Sequence, residues 1–212
     1  MNFFGHASVA SWYEATPGFV LGAMLPDFFS MLRMKPASAL DPNLVRGIEL
    51  HHRTDAAFHG AERFLALTRT ARIALSEAGL ARGPARAVAH IGVELLLDEV
   101  LATEQTARMA YLDALAHGQS HPQSLAFQGQ DDPPRLRALL AVLASRGAPE
   151  STAAPSLVAE RIERALKGRP RLSLDEPSRE LVGDWVVRTR PDVVECASAL
   201  LGELRARLSG AH

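Results

Sequence analysis

The feature that most constrains this chain is helical periodicity with no competing strand signal. From Ala61 to Gly79, AERFLALTRTARIALSEAG puts Phe64, Leu65, Leu67, Ala71, Ile73, Ala74 and Leu75 inward and Arg63, Arg69, Arg72 and Glu77 outward. No stretch alternates apolar and polar residues between turn formers in the way that demands a strand. No repeat of fixed period appears either. The expected fold is all-α, with about seven to nine helices judged by periodicity and breaks. A chain of 212 residues fits one domain over 1–212 and can bury a substantial core.

Prolines and glycines set the expected breaks. Thr16-Pro17 opens a nearly all-apolar segment, GFVLGAMLPDFFSML, which Pro26 is expected to break or bend. KPASALDP, residues 35–42, is expected to be a loop. Asp41 or Asn43 then caps a central helix that ends near Gly60. After Arg82-Gly83-Pro84 a long helix is expected over 85–116, with Gly92 inside it. Residues 117–134, HGQSHPQSLAFQGQDDPP, read as a mobile loop or lid that carries His117 and His121 in solvent. Further helices are expected over 134–146, 154–167, 177–188 and 191–208, the last two parted at Arg190-Pro191.

Composition removes several function classes. The net charge of -1 gives no electrostatic case for nucleic acid or for a membrane surface. No run approaches the ~20 apolar residues that span a bilayer. The opening MNFFGHASVASWYEATPG lacks the positive region of a signal peptide, so a cytoplasmic location is expected. A single cysteine, Cys196, excludes an internal disulfide and a multi-cysteine zinc site, and its apolar helical setting suits a buried thiol. Nothing in the sequence defines an oligomeric state.

The chemistry-bearing residues concentrate in GIELHHRTDAAFHG, Gly47 to Gly60. On a helix His51, Asp55 and His59 fall at i, i+4 and i+8, each step drifting only about 40°, so they share a face. His52 points away from that face. His90, Glu94 and Asp98 repeat the arrangement in HIGVELLLD. Asp27 is an oddity of another kind, a carboxylate in apolar surroundings that calls for a partner or a metal. His6 lies between Phe3, Phe4 and Val9. Together His6, Asp27, His51, Asp55, His90 and Glu94 make three imidazoles and three carboxylates, a set suited to Mn²⁺, Fe²⁺, Zn²⁺ or Mg²⁺. His59 and Asp98 are expected to stand behind these ligands. A bound cation would suit phosphoester hydrolysis. The plain alternative is two polar helix faces with surface His–carboxylate contacts. No nucleophile elbow, phosphate loop or dinucleotide fingerprint competes.

Three stretches, MNFFGHASVA, LGAMLPDF and VRGIELHHRTD, occur in an order and at intervals that resemble the acyl carrier protein phosphodiesterases, also called acyl carrier protein hydrolases. That family is similar to the HD-type metal-dependent phosphohydrolases, which are all-helical. The likeness covers His6, Asp27, Gly47, Ile48, His51, Arg53 and Asp55, and returns weakly at HIGVELLLDEVL and at Arg169-Pro170-Arg171-Leu172. It implies removal of 4′-phosphopantetheine from holo acyl carrier protein with a divalent metal, Mn²⁺ for preference. Asp27 matches the motif aspartate and is the implied catalytic or metal-binding residue, with Arg53 as a catalytic partner for the phosphate. Arg169 and Arg171 are implied to bind phosphate or the acidic carrier, as are Arg63, Arg69, Arg72, Arg82 and Arg86. The chain departs from the family at His59, His90 and Glu94, where aspartates are expected, and through 117–134. Two alternatives stay open: an HD-type enzyme for a small phosphoester, such as a nucleotide or lipid headgroup, and a non-catalytic helical metal-binding protein.

Overall fold

The computed structural model describes residues 1–35, 38–39, 41–127, 129 and 132–210. Among them the chain is all-α. Nine α-helices run in order: α1 (Phe3–Ser11), α2 (Pro17–Leu32), α3 (Pro42–His59), α4 (Glu62–Glu77), α5 (Arg82–Leu101), α6 (Gln105–Ser120), α7 (Asp132–Arg146), α8 (Pro155–Leu166) and α9 (Glu176–Ser209). Among the described residues no helix is long and apolar enough to cross a membrane. The chain divides into two compact units, Met1–Ala56 with Leu101–Pro149, and Ala57–Val100 with Glu150–His212.

In the first unit α2 is the central element. Its apolar residues are buried all round, from Phe19 to Phe29, and α1, α6 and α7 pack on it. Phe4 meets Tyr111 edge-on at 5.3 Å, and Phe3 sits 5.6 Å from Phe28. Asp41 caps α3, its Oδ1 accepting from the Asn43 N–H at 2.8 Å. Two glycines let α3 lie directly on α2. A Cβ on Gly22 would come within 2.3 Å of the Leu44 carbonyl oxygen, and one on Gly47 within 2.2 Å of the Phe19 oxygen. No other side chain fits there.

The second unit packs α4 and α8 on α9. Val158, Ile162 and Leu166 of α8 are buried, as are Val182, Trp185, Val186, Val193, Leu200 and Leu204 of α9. The Arg190 guanidinium grips Glu99 through Nε at 2.9 Å and Nη2 at 3.2 Å, and Nη2 also donates to the Ala153 carbonyl at 2.6 Å. Glu99 is buried, so this pair carries its own compensation for leaving water.

Three expected boundaries change. Pro26, expected to break or bend its segment, lies inside α2 without ending it. The donor it lacks leaves one carbonyl short, but buried Leu25, Phe28 and Phe29 hold the helix on either side. Pro191 lies inside α9 for a different reason: the carbonyl it leaves without a donor belongs to Val187, which is 56% exposed and open to water. The helix expected over 85–116 is two, α5 and α6, parted at Ala102–Glu104 by a tight turn with no glycine or proline. Much of the expected lid has regular secondary structure among the described residues. Residues 117–120 finish α6, a 3-10 turn spans Pro122–Ser124, and α7 begins at Asp132. Leu125–Ala126 also forms a two-residue antiparallel pair with Ser38–Ala39, Ser38 facing Ala126 and Ala39 facing Leu125. That is too short to leave a period in the sequence. Residues 36, 37 and 40 of the expected loop, and 128, 130 and 131 of the expected lid, lie outside the described residues.

Candidate functional site

In the first unit three separated stretches bring their polar residues together. Asn2 caps α1, its Oδ1 accepting from the Phe3 N–H at 2.7 Å, and sets His6 one turn into a buried helix. Asp27 follows Pro26 on α2 and is half-buried. His51 and Asp55 stand one turn apart on α3. His6, Asp27 and His51 each offer a ligand atom within 4.8 Å of the others. Asp55 joins the two imidazoles: its Oδ1 lies 3.1 Å from His6 Nε2 and its Oδ2 3.6 Å from His51 Nε2. The N-terminal amine is 2.9 Å from the same Oδ1. The rings of His6 and His51 stack at 3.9 Å.

The close approach of α2 and α3 fixes the state of His51. Its Nδ1–H donates to the Ala23 carbonyl at 2.9 Å, which leaves Nε2 with its lone pair toward the group. That is how metal-binding imidazoles are held, with the far nitrogen tied to a backbone or carboxylate oxygen. Burial and the neighbouring His6 push the His51 pKa down to about 4, against the Ala23 carbonyl and Asp55. His51 is therefore neutral at pH 7, as a ligand must be. For Asp55 burial alone would raise the pKa, but the His6 hydrogen bond and the N-terminal amine outweigh it and hold the carboxylate well below its usual range.

The second unit holds another donor group: His59 on the last turn of α3, with His90 and Glu94 one turn apart on α5. His59 Nε2 and His90 Nε2 each lie 3.1 Å from the same oxygen, Glu94 Oε1. The two rings stack at 5.1 Å, and the buried Phe64 ring lies 5.4 Å from one and 5.3 Å from the other. Burial alone would raise the Glu94 pKa, but the two imidazoles bonded to it hold it well below the ordinary carboxylate range.

The six expected ligands thus fall in two groups. His6, Asp27 and His51 meet with Asp55 beside them, while His90 and Glu94 meet each other and His59. His59 is not behind the ligands; it is one of the converging donors. Eight residues separate it from His51, a rise of about 12 Å along one helix. Asp98 is buried one turn beyond Glu94. Arg53 is exposed on α3, and Arg169 and Arg171 are exposed at the 3-10 turn Pro170–Leu172. His117 lies in the last turn of α6 rather than in a loop, and its ring stacks at 4.3 Å on that of His121, the exposed residue that follows the helix. Two contributors escaped the sequence: the Ala23 carbonyl, which no side-chain pattern reports, and the Gly22–Gly47 contact. The second left a signal, a glycine inside each of two helical segments.

No protein-family model matches the chain, and no curated protein or solved structure is significantly similar to it. Among the described residues the fold is all-α, and two histidine–carboxylate groups have donor atoms close enough that each could hold a metal ion.

Proposed function

We propose that this protein is a metal-dependent phosphodiesterase whose centre is His6, Asp27, His51 and Asp55. One observation carries the proposal. The three stretches that resemble the acyl carrier protein hydrolases contribute His6, Asp27 and His51, and these three side chains converge to within 4.8 Å. Residues about 20 and 45 positions from the first one have no reason to meet if the likeness is accidental.

A divalent cation, Mn²⁺ in the first place, would supply Lewis acidity at the phosphoryl oxygen and lower the pKa of water. The protein's own residues do the rest. The Ala23 carbonyl keeps His51 neutral and oriented. Asp55 orients His6 through Nε2 and balances charge across the stacked rings. Asp27, half-buried, is the carboxylate assigned to take up a proton. Arg53 is the exposed guanidinium assigned to steady the phosphate. Arg169 and Arg171 are assigned to the acidic surface of a carrier protein.

The test is to incubate holo acyl carrier protein with the purified chain and Mn²⁺ and weigh the carrier by mass spectrometry. Loss of the phosphopantetheine mass, abolished in Asp27→Ala, is expected. Hydrolysis of a generic phosphodiester without that loss would move the substrate to a small phosphoester such as a nucleotide or lipid headgroup. No turnover of either would leave a non-catalytic metal-binding protein.

A further inference from the structure

The group in the second unit has the geometry of a metal site of its own. Metal–nitrogen and metal–oxygen bonds of about 2.0–2.1 Å put neighbouring ligand atoms about 3.3 Å apart in a tetrahedron and about 2.9 Å apart at right angles. Glu94 Oε1 lies 3.1 Å from both imidazole nitrogens, between those values. Both nitrogen–oxygen distances suit ligands of one ion, and all three ligand atoms lie within 4.8 Å of one another.

Both rings turn Nε2 to one oxygen, and they do so while stacked at 5.1 Å. Two imidazoles this close repel when both are charged, whereas one cation between them satisfies all three donors. The rings are also braced. Phe64 is 2% exposed and lies edge-on to His90 at 84° and against His59 at 60°. Phe58, wholly buried, packs against Phe64 at 4.3 Å with its ring tilted by 42°, and anchors the end of α3. The His90 side chain is 47% exposed and that of His59 35%, while that of Glu94 is only 12%.

We propose that His59, His90 and Glu94 bind a second divalent cation, one that does not take His6, Asp27 or His51 as ligands. Two imidazoles and one carboxylate favour a borderline ion over Mg²⁺ or Ca²⁺, and Zn²⁺ stands first among those available to a protein. The assignment does not depend on the hydrolase proposal.

The full chain, stripped with a chelator and desalted, is titrated with Zn²⁺ by calorimetry, and bound zinc is counted after gel filtration. Glu94→Gln and His90→Ala are each expected to bind one equivalent fewer than wild type. His51→Ala is expected to keep that equivalent. Replacing Zn²⁺ with Co²⁺ gives visible bands from both groups, and the share lost in Glu94→Gln is expected to be retained in His51→Ala. Unchanged circular dichroism shows that each variant is folded; His90→Ala alters an exposed side chain and keeps the readout usable if Glu94→Gln misfolds. Wild-type stoichiometry in both Glu94→Gln and His90→Ala overturns the proposal, as does loss of the same equivalent in His51→Ala. Phosphodiesterase turnover is measured separately, so its absence leaves the zinc count to decide this point alone.

Discussion

Replacing Gly47 with alanine tests how the fold builds the first donor group. In an ordinary helix interior the change would gain about 1 kcal/mol, because alanine is the better helix former. Here the new methyl carbon would lie 2.2 Å from the Phe19 oxygen and 2.8 Å from the Ala23 nitrogen. Those are backbone atoms, so no side chain can rotate away. Van der Waals contact needs about 3.5 Å, so α3 must retreat from α2 by roughly 1 Å. Overpacking costs about 1–3 kcal/mol, and a backbone clash falls at the upper end. Less the propensity gain, about 2 kcal/mol of destabilisation remains, a drop in Tm of about 4–8 °C for a chain of this size. The same retreat stretches the His51–Ala23 hydrogen bond from 2.9 Å to a distance at which it no longer counts as one. His51 then loses its fixed tautomer, and metal affinity at the first group should fall by about 10–100-fold, as when an orienting partner is removed. Thermal denaturation and calorimetric Mn²⁺ titration measure both effects. Gly183→Ala is the control: nothing lies within 4 Å of the added carbon, so it should stabilise. A Gly47→Ala protein as stable as wild type, with unaltered Mn²⁺ affinity, would refute the reasoning.

Gly92→Ala should destabilise by about 1–3 kcal/mol, because its Cβ would meet the Trp185 ring at 2.5 Å; tryptophan fluorescence and urea unfolding would register it. Asp55→Asn keeps the shape but weakens the acceptor between His6 and His51, so the affinity of the first group for Mn²⁺ should drop about 10–100-fold with little change in helicity. Arg190→Leu leaves the Glu99 carboxylate buried without its cation and should cost about 3 kcal/mol in chemical denaturation. Stability should also fall in mild acid. The folded-state pKa of His51 is lowered from 6.5 to about 4, so between those values the unfolded chain binds a proton that the folded one refuses. The contribution is whole above pH 6.5 and lost as pH falls toward 4, about 3 kcal/mol at most. Asp55, whose unfolded value is near 3.8, adds its own loss only below that pH. His51→Gln should flatten the denaturation profile in the upper window and leave the lower one in place.

The helices were legible because their amphipathic period is local. α3 is found from a capping Asp41 and a terminating Gly60, and α4 from one apolar stripe. The pairing of His51 with Asp55, and of His90 with Glu94, follows from a spacing of four on a helix and needs no tertiary information. Prolines misled where a local rule met a global force: buried neighbours carry α2 through Pro26, and solvent serves the carbonyl that Pro191 leaves bare in α9. The turn between α5 and α6 has no breaker residue and left no mark.

The sequence by itself determined which residues can bind a cation, and on which helices they stand. It did not determine who meets whom. The six expected ligands separate into two groups, and His59 moves from behind the ligands to the donors around Glu94 Oε1. His6, Asp27 and His51 meet because Gly22 and Gly47 let two helix backbones touch and because a buried α1 lies against α2. Periodicity fixes what shares a helix face, since that depends on rotation per residue. Which faces then meet is set by steric fit between distant backbones, and only the tertiary structure carries that.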